Sequence, residues 1–306
     1  MARKDDVEVF CRAVWRNEEK AIAALVGRVD ANGADRWGHR PLSMAAGHGD
    51  LAVVRALVER GARVDQDRTY LTPVTLAARR GALDLVEFLR ARGATVSVLT
   101  SVYLGDADAV RRELGREPAL AGLKDEEGTP LLLHAAQALS TEVVGLLLGG
   151  GVAIGDADPD GETALHRAAD LRGAPPAAAR AMATFLLDHG ADPNARNWDE
   201  VTPLHQAVRA RNVAVVEVLL ARGAEVDARD KRGSTPLRRA VSATGASGTA
   251  GTSALMAPLT RLLLDHGADP DARDRRGVPV RASARAPEVL ALLAASQRPG
   301  GPKSRR

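Results

Sequence analysis

Hydrophobic positions recur along this chain in two alternating helical stretches. From Thr202, the residues Leu204, Ala207 and Val208 fall on one face at helical spacing. After a short polar turn, Val215, Val216, Val218, Leu219 and Leu220 build a second, more apolar helix. Local chemistry agrees with both. Thr202 supplies an N-cap oxygen, and Pro203 sits at the first helical position, where a missing N–H leaves no bond unmade. Gly223 stops the second helix in a left-handed conformation. Ahead of the next first helix, Asp230-Lys231-Arg232-Gly233 supplies the tight bend of a projecting hairpin. One such pair cannot bury its apolar stripe alone, whereas stacked copies can.

The pattern repeats in order. Asp35 opens D-R-W-G-H-R-P-L-S-M-A-A, Asp67 opens D-R-T-Y-L-T-P-V-T-L-A-A, and Asp158 opens D-P-D-G-E-T-A-L-H-R-A-A. Asn197 opens N-W-D-E-V-T-P-L-H-Q-A-V, and thirty-three residues later Asp230 opens D-K-R-G-S-T-P-L-R-R-A-V. The second halves match too, as V-V-R-A-L-V-E-R-G-A at Val53, F-L-L-D-H-G-A-D-P at Phe185 and L-L-L-D-H-G-A-D-P at Leu262. These residues resemble the ankyrin repeat, from the T-P-L-H start to the closing G-A-D, over nearly the whole chain. The resemblance implies an all-α solenoid of about nine helix-turn-helix units with projecting β-hairpin fingers, opening near residues 5, 35, 67, 98, 125, 158, 197, 230 and 274. It implies one elongated solenoid over 1–296, followed by a disordered basic tail at 297–306. It also implies a binding scaffold whose hairpins and first helices form a concave groove.

Departures from the pattern shape that groove. Only twelve steps separate Gly93 from Gly105, so the unit at Val98 lacks a hairpin; its outer loop, Arg116 to Lys124, is longer. Pro130 and Pro279 stand one residue early in their units, and the short helix from Pro287 reads as a cap. Two insertions, Asp170–Ala177 and Ala243–Ala254, fall in turns between paired helices; the second is a flexible Gly/Ser/Thr loop.

Composition narrows the function classes. Forty-two basic against thirty-nine acidic residues leave +3, too small a surplus for wholesale coating of nucleic acid or anionic lipid. Three Trp, two Tyr and three Phe mean a core of Ala, Val and Leu, suited to thin, closely packed helices. A single cysteine, Cys11, excludes an internal disulfide and a thiolate-rich zinc site, in keeping with a reducing, cytoplasmic setting. The charged N-terminus has no signal-peptide core, and the apolar run from Val143 to Gly155 is shorter than the ~20 residues of a membrane helix. Five lysines among the basic residues, with abundant Ala and Gly, suggest GC-rich coding and a bacterial source.

Motifs that could carry chemistry fail on their partners. Asp156, Asp158, Asp160 and Gly161 spell the opening of a calcium loop, but Arg167 stands where a bidentate Glu is required. His166 and His205 follow T-A-L and T-P-L, where the resemblance implies a helix-to-hairpin hydrogen bond. His189 and His266 sit near helix C-termini, and His48 in an inter-helix turn; none forms H-E-x-x-H. G-H-G-D-L-A at Gly47 has no preceding strand, and Ser247 has no G-x-S-x-G frame. No catalytic, metal or cofactor site is therefore expected.

The hairpin tips and the ends of the first helices carry the expected partner-binding residues. Trp15, Arg36, Trp37, His39, Arg68, Arg79 and Arg80 come first. Glu126, Glu127, Asp160, Glu162, Trp198 and Asp199 follow, and Lys231, Arg232 and Arg239 come last. The surface should run basic, acidic, basic, with all three tryptophans exposed on it as anchors. The expected occupant is a protein bound by a monomer, with an anionic ligand or nucleic acid at the arginine-rich ends as the alternative.

Overall fold

The computed structural model describes residues 4–65, 72–242 and 254–296. Among them are seventeen α-helices and no strand. Contacts divide the chain into two compact units, Met1–Glu126 and Glu127–Arg306.

The first unit holds four helix pairs. They are α1 (Lys4–Trp15) with α2 (Glu19–Val26), α3 (Pro41–His48) with α4 (Leu51–Glu59), α5 (Pro73–Arg80) with α6 (Leu83–Ala91), and α7 (Val98–Leu104) with α8 (Ala107–Arg116). The first members stack α1 on α3, α3 on α5 and α5 on α7; α2, α4 and α6 stack behind them. Side-chain caps start the helices where the sequence places them: Asp50, Thr72, Ser97 and Asp106 each accept an N–H three residues on. Phe10, Leu42, Leu57, Leu85 and Leu89 are completely buried between the layers. Thr75 and Thr100, three residues after caps Thr72 and Ser97, share a buried hydroxyl–hydroxyl bond of 2.7 Å between neighbouring pairs.

The second unit holds α9 (Leu131–Gln137), α10 (Thr141–Gly149), α11 (Ala164–Ala169), α12 (Pro176–Asp188), α13 (Pro203–Arg209), α14 (Val213–Ala221), α15 (Pro236–Val241), α16 (Met256–Asp265) and α17 (Pro287–Ala295). Inner helices stack α9 on α11, α11 on α13 and α13 on α15, with α10, α12 and α14 stacked outside. His166 and His205 tie successive repeats together. The Thr202 N–H donates to His205 Nδ1 at 3.3 Å, so the ring is protonated at Nε2 and donates to the Ser234 carbonyl at 3.0 Å. His166 does the same from Thr163 to the Val201 carbonyl.

Several sequence expectations change in detail. Among the described residues the fingers are tight turns closed at most by single bridge pairs, Ala157 with Thr163 and Arg273 with Pro279, rather than two-stranded hairpins. The Arg116–Lys124 loop contains a 3-10 turn, Pro118–Gly122. The Asp170–Ala177 insertion is not all turn: Pro176 opens α12, whose Ala-rich start extends it to 13 residues against nine in α14. His48 closes α3 instead of lying beyond it. The early Pro130 takes the N-cap position itself, leaving α9 without a side-chain cap, and Pro279 precedes only a 3-10 turn, Val280–Ser283. Arg68, the loop 243–253 and the tail 297–306 lie outside the described residues.

The tight turns have a measurable steric basis. Gly233 has φ +74°, and a Cβ there would lie 2.8 Å from the Arg275 backbone nitrogen. Gly223 has φ +84° but open space around it. Gly223→Ala should therefore lose about 1 kcal/mol from the left-handed backbone alone. Gly233→Ala should lose about 2 kcal/mol or more, because backbone cannot swing aside as a side chain does. Urea midpoints of the two variants check the order.

Candidate functional site

Each finger of the second unit is built by one side chain accepting two backbone N–H groups. Asp158 Oδ1 accepts from Asp160 and Glu162, Asn197 Oδ1 from Asp199 and Val201, Asp230 Oδ1 from Arg232 and Ser234, and Asp274 Oδ1 from Arg276 and Val278, all at 2.9–3.0 Å. Successive tips then bond to one another. Trp198 N–H donates to the Asp160 carbonyl at 2.9 Å, Lys231 N–H to Asp199 at 2.9 Å, and Arg275 N–H to Arg232 at 3.1 Å. This ladder sets the tips in register. It also accounts for the calcium-like run: the Asp158 carboxylate is buried, engaged by two N–H groups and by Arg167, and no cluster of metal-ligating residues occurs among the described residues.

Beside the ladder lies an open concavity of about 800 Å³. Seven of the expected contact residues line it: Asp160, Glu162, Trp198, Asp199, Lys231, Arg232 and Arg239. Trp198 is 68% exposed, yet its Nε1 donates to the Pro159 carbonyl at 2.5 Å, so the indole is presented in one orientation. Asp199 and Lys231 stand 3.8 Å apart on neighbouring tips. Glu162 is half-buried and takes a bond from Gln206 on the floor. Arg239 turns inward, its guanidinium 2.8 Å from Asp230. Burial pushes the Asp230 carboxyl up, but the bonds from Arg239 and the Ser234 and Arg232 amides outweigh it and hold the group below the usual carboxylate range.

Four arginines that the repeat pattern did not single out also line this concavity: Arg172, Arg209, Arg211 and Arg238. Arg209 pairs with Asp170 at 2.8 Å and Arg238 with Asp274 at 3.1 Å. Arg211, at φ +61° in the turn after α13, donates to the Ala240 and Ser242 carbonyls. Its guanidinium is depressed by burial first and then by the nearby Arg172. Arg172 belongs to the insertion and Arg211 to a turn, so their convergence leaves no periodic trace.

The first unit presents a smaller constellation. Asp35 Oδ1 accepts the Trp37 and His39 N–H groups, and Oδ2 lies 3.0 Å from His39 Nδ1. Trp37 is 57% exposed, with the Arg36 guanidinium 4.0 Å above its ring and also 3.3 Å from Glu8. Trp15, at the end of α1, is 77% exposed. Arg79 and Arg80 close α5 in solvent, and Glu126 and Glu127 are exposed where the two units divide. Cys11 is buried; desolvation, then the Asp35 charge, push its thiol up to about 12, far from a reactive thiolate.

Comparison with known proteins gives one consistent result. The family model "Ankyrin repeats (3 copies)" matches residues 10–100 and 98–197, and "Ankyrin repeats (many copies)" matches 186–240. Among solved structures, the human ASB11 ankyrin repeat domain is 21% identical, with a TM-score of 0.50 over 86% of this chain and all of that one. The ankyrin repeat domain of Bcl-3, a member of the IkappaB protein family, is 24% identical, with a TM-score of 0.49 over 84% of this chain and 99% of that one. A search of curated proteins gives no match.

Proposed function

Because the chain belongs to the ankyrin-repeat family, whose repeats are a protein-interaction module, we propose that it is a non-catalytic scaffold that binds a protein through its finger tips and inner helices. The observation that carries this reading is Trp198: a large apolar surface left 68% in water, held in a fixed orientation, at the rim of a concavity. Aromatic surface costs free energy in solvent and is what binding anchors use. Asp160, Asp199, Lys231 and Arg232 around it supply charges of both signs, suited to setting partner register. Trp15 and Trp37 with Arg36 are the corresponding contacts of the first unit. No helix among the described residues is long and apolar enough to cross a membrane. We propose a cytoplasmic monomer, the single cysteine Cys11 being in keeping with a reducing compartment.

Trp198→Ala should weaken partner binding by at least ~2 kcal/mol, while lowering stability by under ~1 kcal/mol because the ring is mostly in solvent. Calorimetric titration of a partner captured from the source lysate measures the first, and urea denaturation the second. Unchanged affinity would move the interaction off this surface.

A further inference from the structure

Most charges around the concavity of the second unit are already matched: Arg239 with Asp230, Arg238 with Asp274, Arg209 with Asp170 and Lys231 with Asp199. Two arginines are different, Arg232 on a finger tip and Arg172 in the Asp170–Ala177 insertion: each is exposed, lines the concavity and has no side-chain partner among the described residues, and Arg172 has a further arginine beside it. Arg211, close enough to repel it, donates only to two neutral carbonyls. On the floor, Gln206 is 2% exposed; its Nε2 is committed to Glu162, and its buried Oε1 has no hydrogen-bond partner. Asp160 lies before α11 and Arg172 after it, about 9 Å of helix apart, so the concavity has finger tips of both signs at one side and a cationic end with Arg172 and Arg211 at the other.

We propose that this concavity receives an acidic peptide segment of a protein partner, a side-chain carboxylate seating against Arg172 and Arg211 while a peptide N–H donates to Gln206 Oε1. The inference rests on the interaction-module reading and names the chemistry of the partner. A carboxylate relieves the repulsion of two neighbouring guanidiniums and forms charge-assisted bonds with both. A buried amide oxygen without a donor is costly, and binding a donor removes that cost. A phosphodiester backbone carries acceptors only, so it leaves Gln206 Oε1 without a donor. A peptide offers both groups within a short extended segment, and Trp198 offers it an apolar surface beside them.

End-blocked hexaglutamate, labelled with fluorescein and followed by anisotropy at low salt, is the probe. It should bind, Arg172→Glu should weaken it about tenfold or more, and Arg172→Lys should recover part of the loss. Arg261→Glu, an equal charge change on exposed α16 surface away from the concavity, should leave it unchanged. No binding, or equal losses in Arg172→Glu and Arg261→Glu, overturns the site. Tighter binding of fluorescein-labelled oligothymidylate with the same Arg172 dependence makes it a nucleic-acid surface instead. Displacement of hexaglutamate by inorganic phosphate at comparable concentration makes it a simple anion pocket and overturns the peptide assignment. A captured partner lost with Trp198→Ala but retained with Arg172→Glu sinks this inference alone; retention by both variants sinks the interaction surface as well.

Discussion

Leu219→Ala should destabilise the protein by roughly 2–5 kcal/mol. Leu219 is completely buried on α14, which packs against both α12 and α13. Its side chain fills space between two neighbouring helix pairs. Truncation removes apolar transfer energy and leaves a cavity whose walls are helix backbones fixed from both sides, so relaxation is limited. Arg222→Ala, three residues on, is the internal control. Its ion pair with Asp188, at 2.7 Å, has both partners largely in solvent, so its loss should amount to under ~0.5 kcal/mol. Urea denaturation of both variants provides the measurement. Equal effects would mean that Leu219 does not sit in a shared stacked core.

Acidification should cost a comparable amount through His205. Burial, first, and then the Arg239 charge lower its pKa from 6.5 to about 4, while the Ser234 carbonyl and Asp230 oppose the shift. The ring is therefore neutral in the folded state and protonates first in the unfolded one. The stability it contributes is complete above about pH 6.5 and is lost as pH falls towards about 4. At 1.36 kcal/mol per pH unit the window of about 2.5 units amounts to about 3 kcal/mol, as an order of magnitude. His166, also lowered by burial, acts in the same direction. Glu113 and Asp227, raised by burial, act oppositely in the carboxylate range. The decisive measurement is therefore a difference. Urea stability between about pH 7.5 and about pH 4.5 should fall more in the wild type than in His205→Gln, which has no titrating ring. Equal falls would mean that His205 is already free to protonate when folded.

The same histidine shows what one sequence discloses. Thr202, Pro203, Leu204 and His205 stand in order, so the cap, the helix start and the ring's local bond to Thr202 all follow from four consecutive residues. The acceptor at the other end, the Ser234 carbonyl, lies 29 residues away and is reached only when α13 stacks beside the segment leading into α15. Thr75 and Thr100 stand at the position that His205 fills, three residues after their caps, but their bond to each other forms only when α5 and α7 stack. Trp198 was legible as an exposed finger residue; the bond from its indole to Pro159 was not, because it joins two different fingers.

The sequence alone determined most helices, the Thr202 cap and the order of the repeats, because those depend on residue spacing within one turn of backbone; it did not put Pro130 at an N-cap or start α12 at Pro176. It also determined the candidate surface, since one position recurring in each finger projects in one direction. Tertiary structure decided which of those charges remain free. Arg239 was expected as a contact and is drawn onto Asp230, whereas Arg172, from an insertion outside the repeating positions, reaches the concavity without a partner. A long side chain chooses among acceptors brought close by stacking, and those acceptors are set by packing between helices 30 to 40 residues apart, as Arg209 with Asp170 and Arg238 with Asp274 show. That choice depends on distances in space, which periodicity along the chain does not encode.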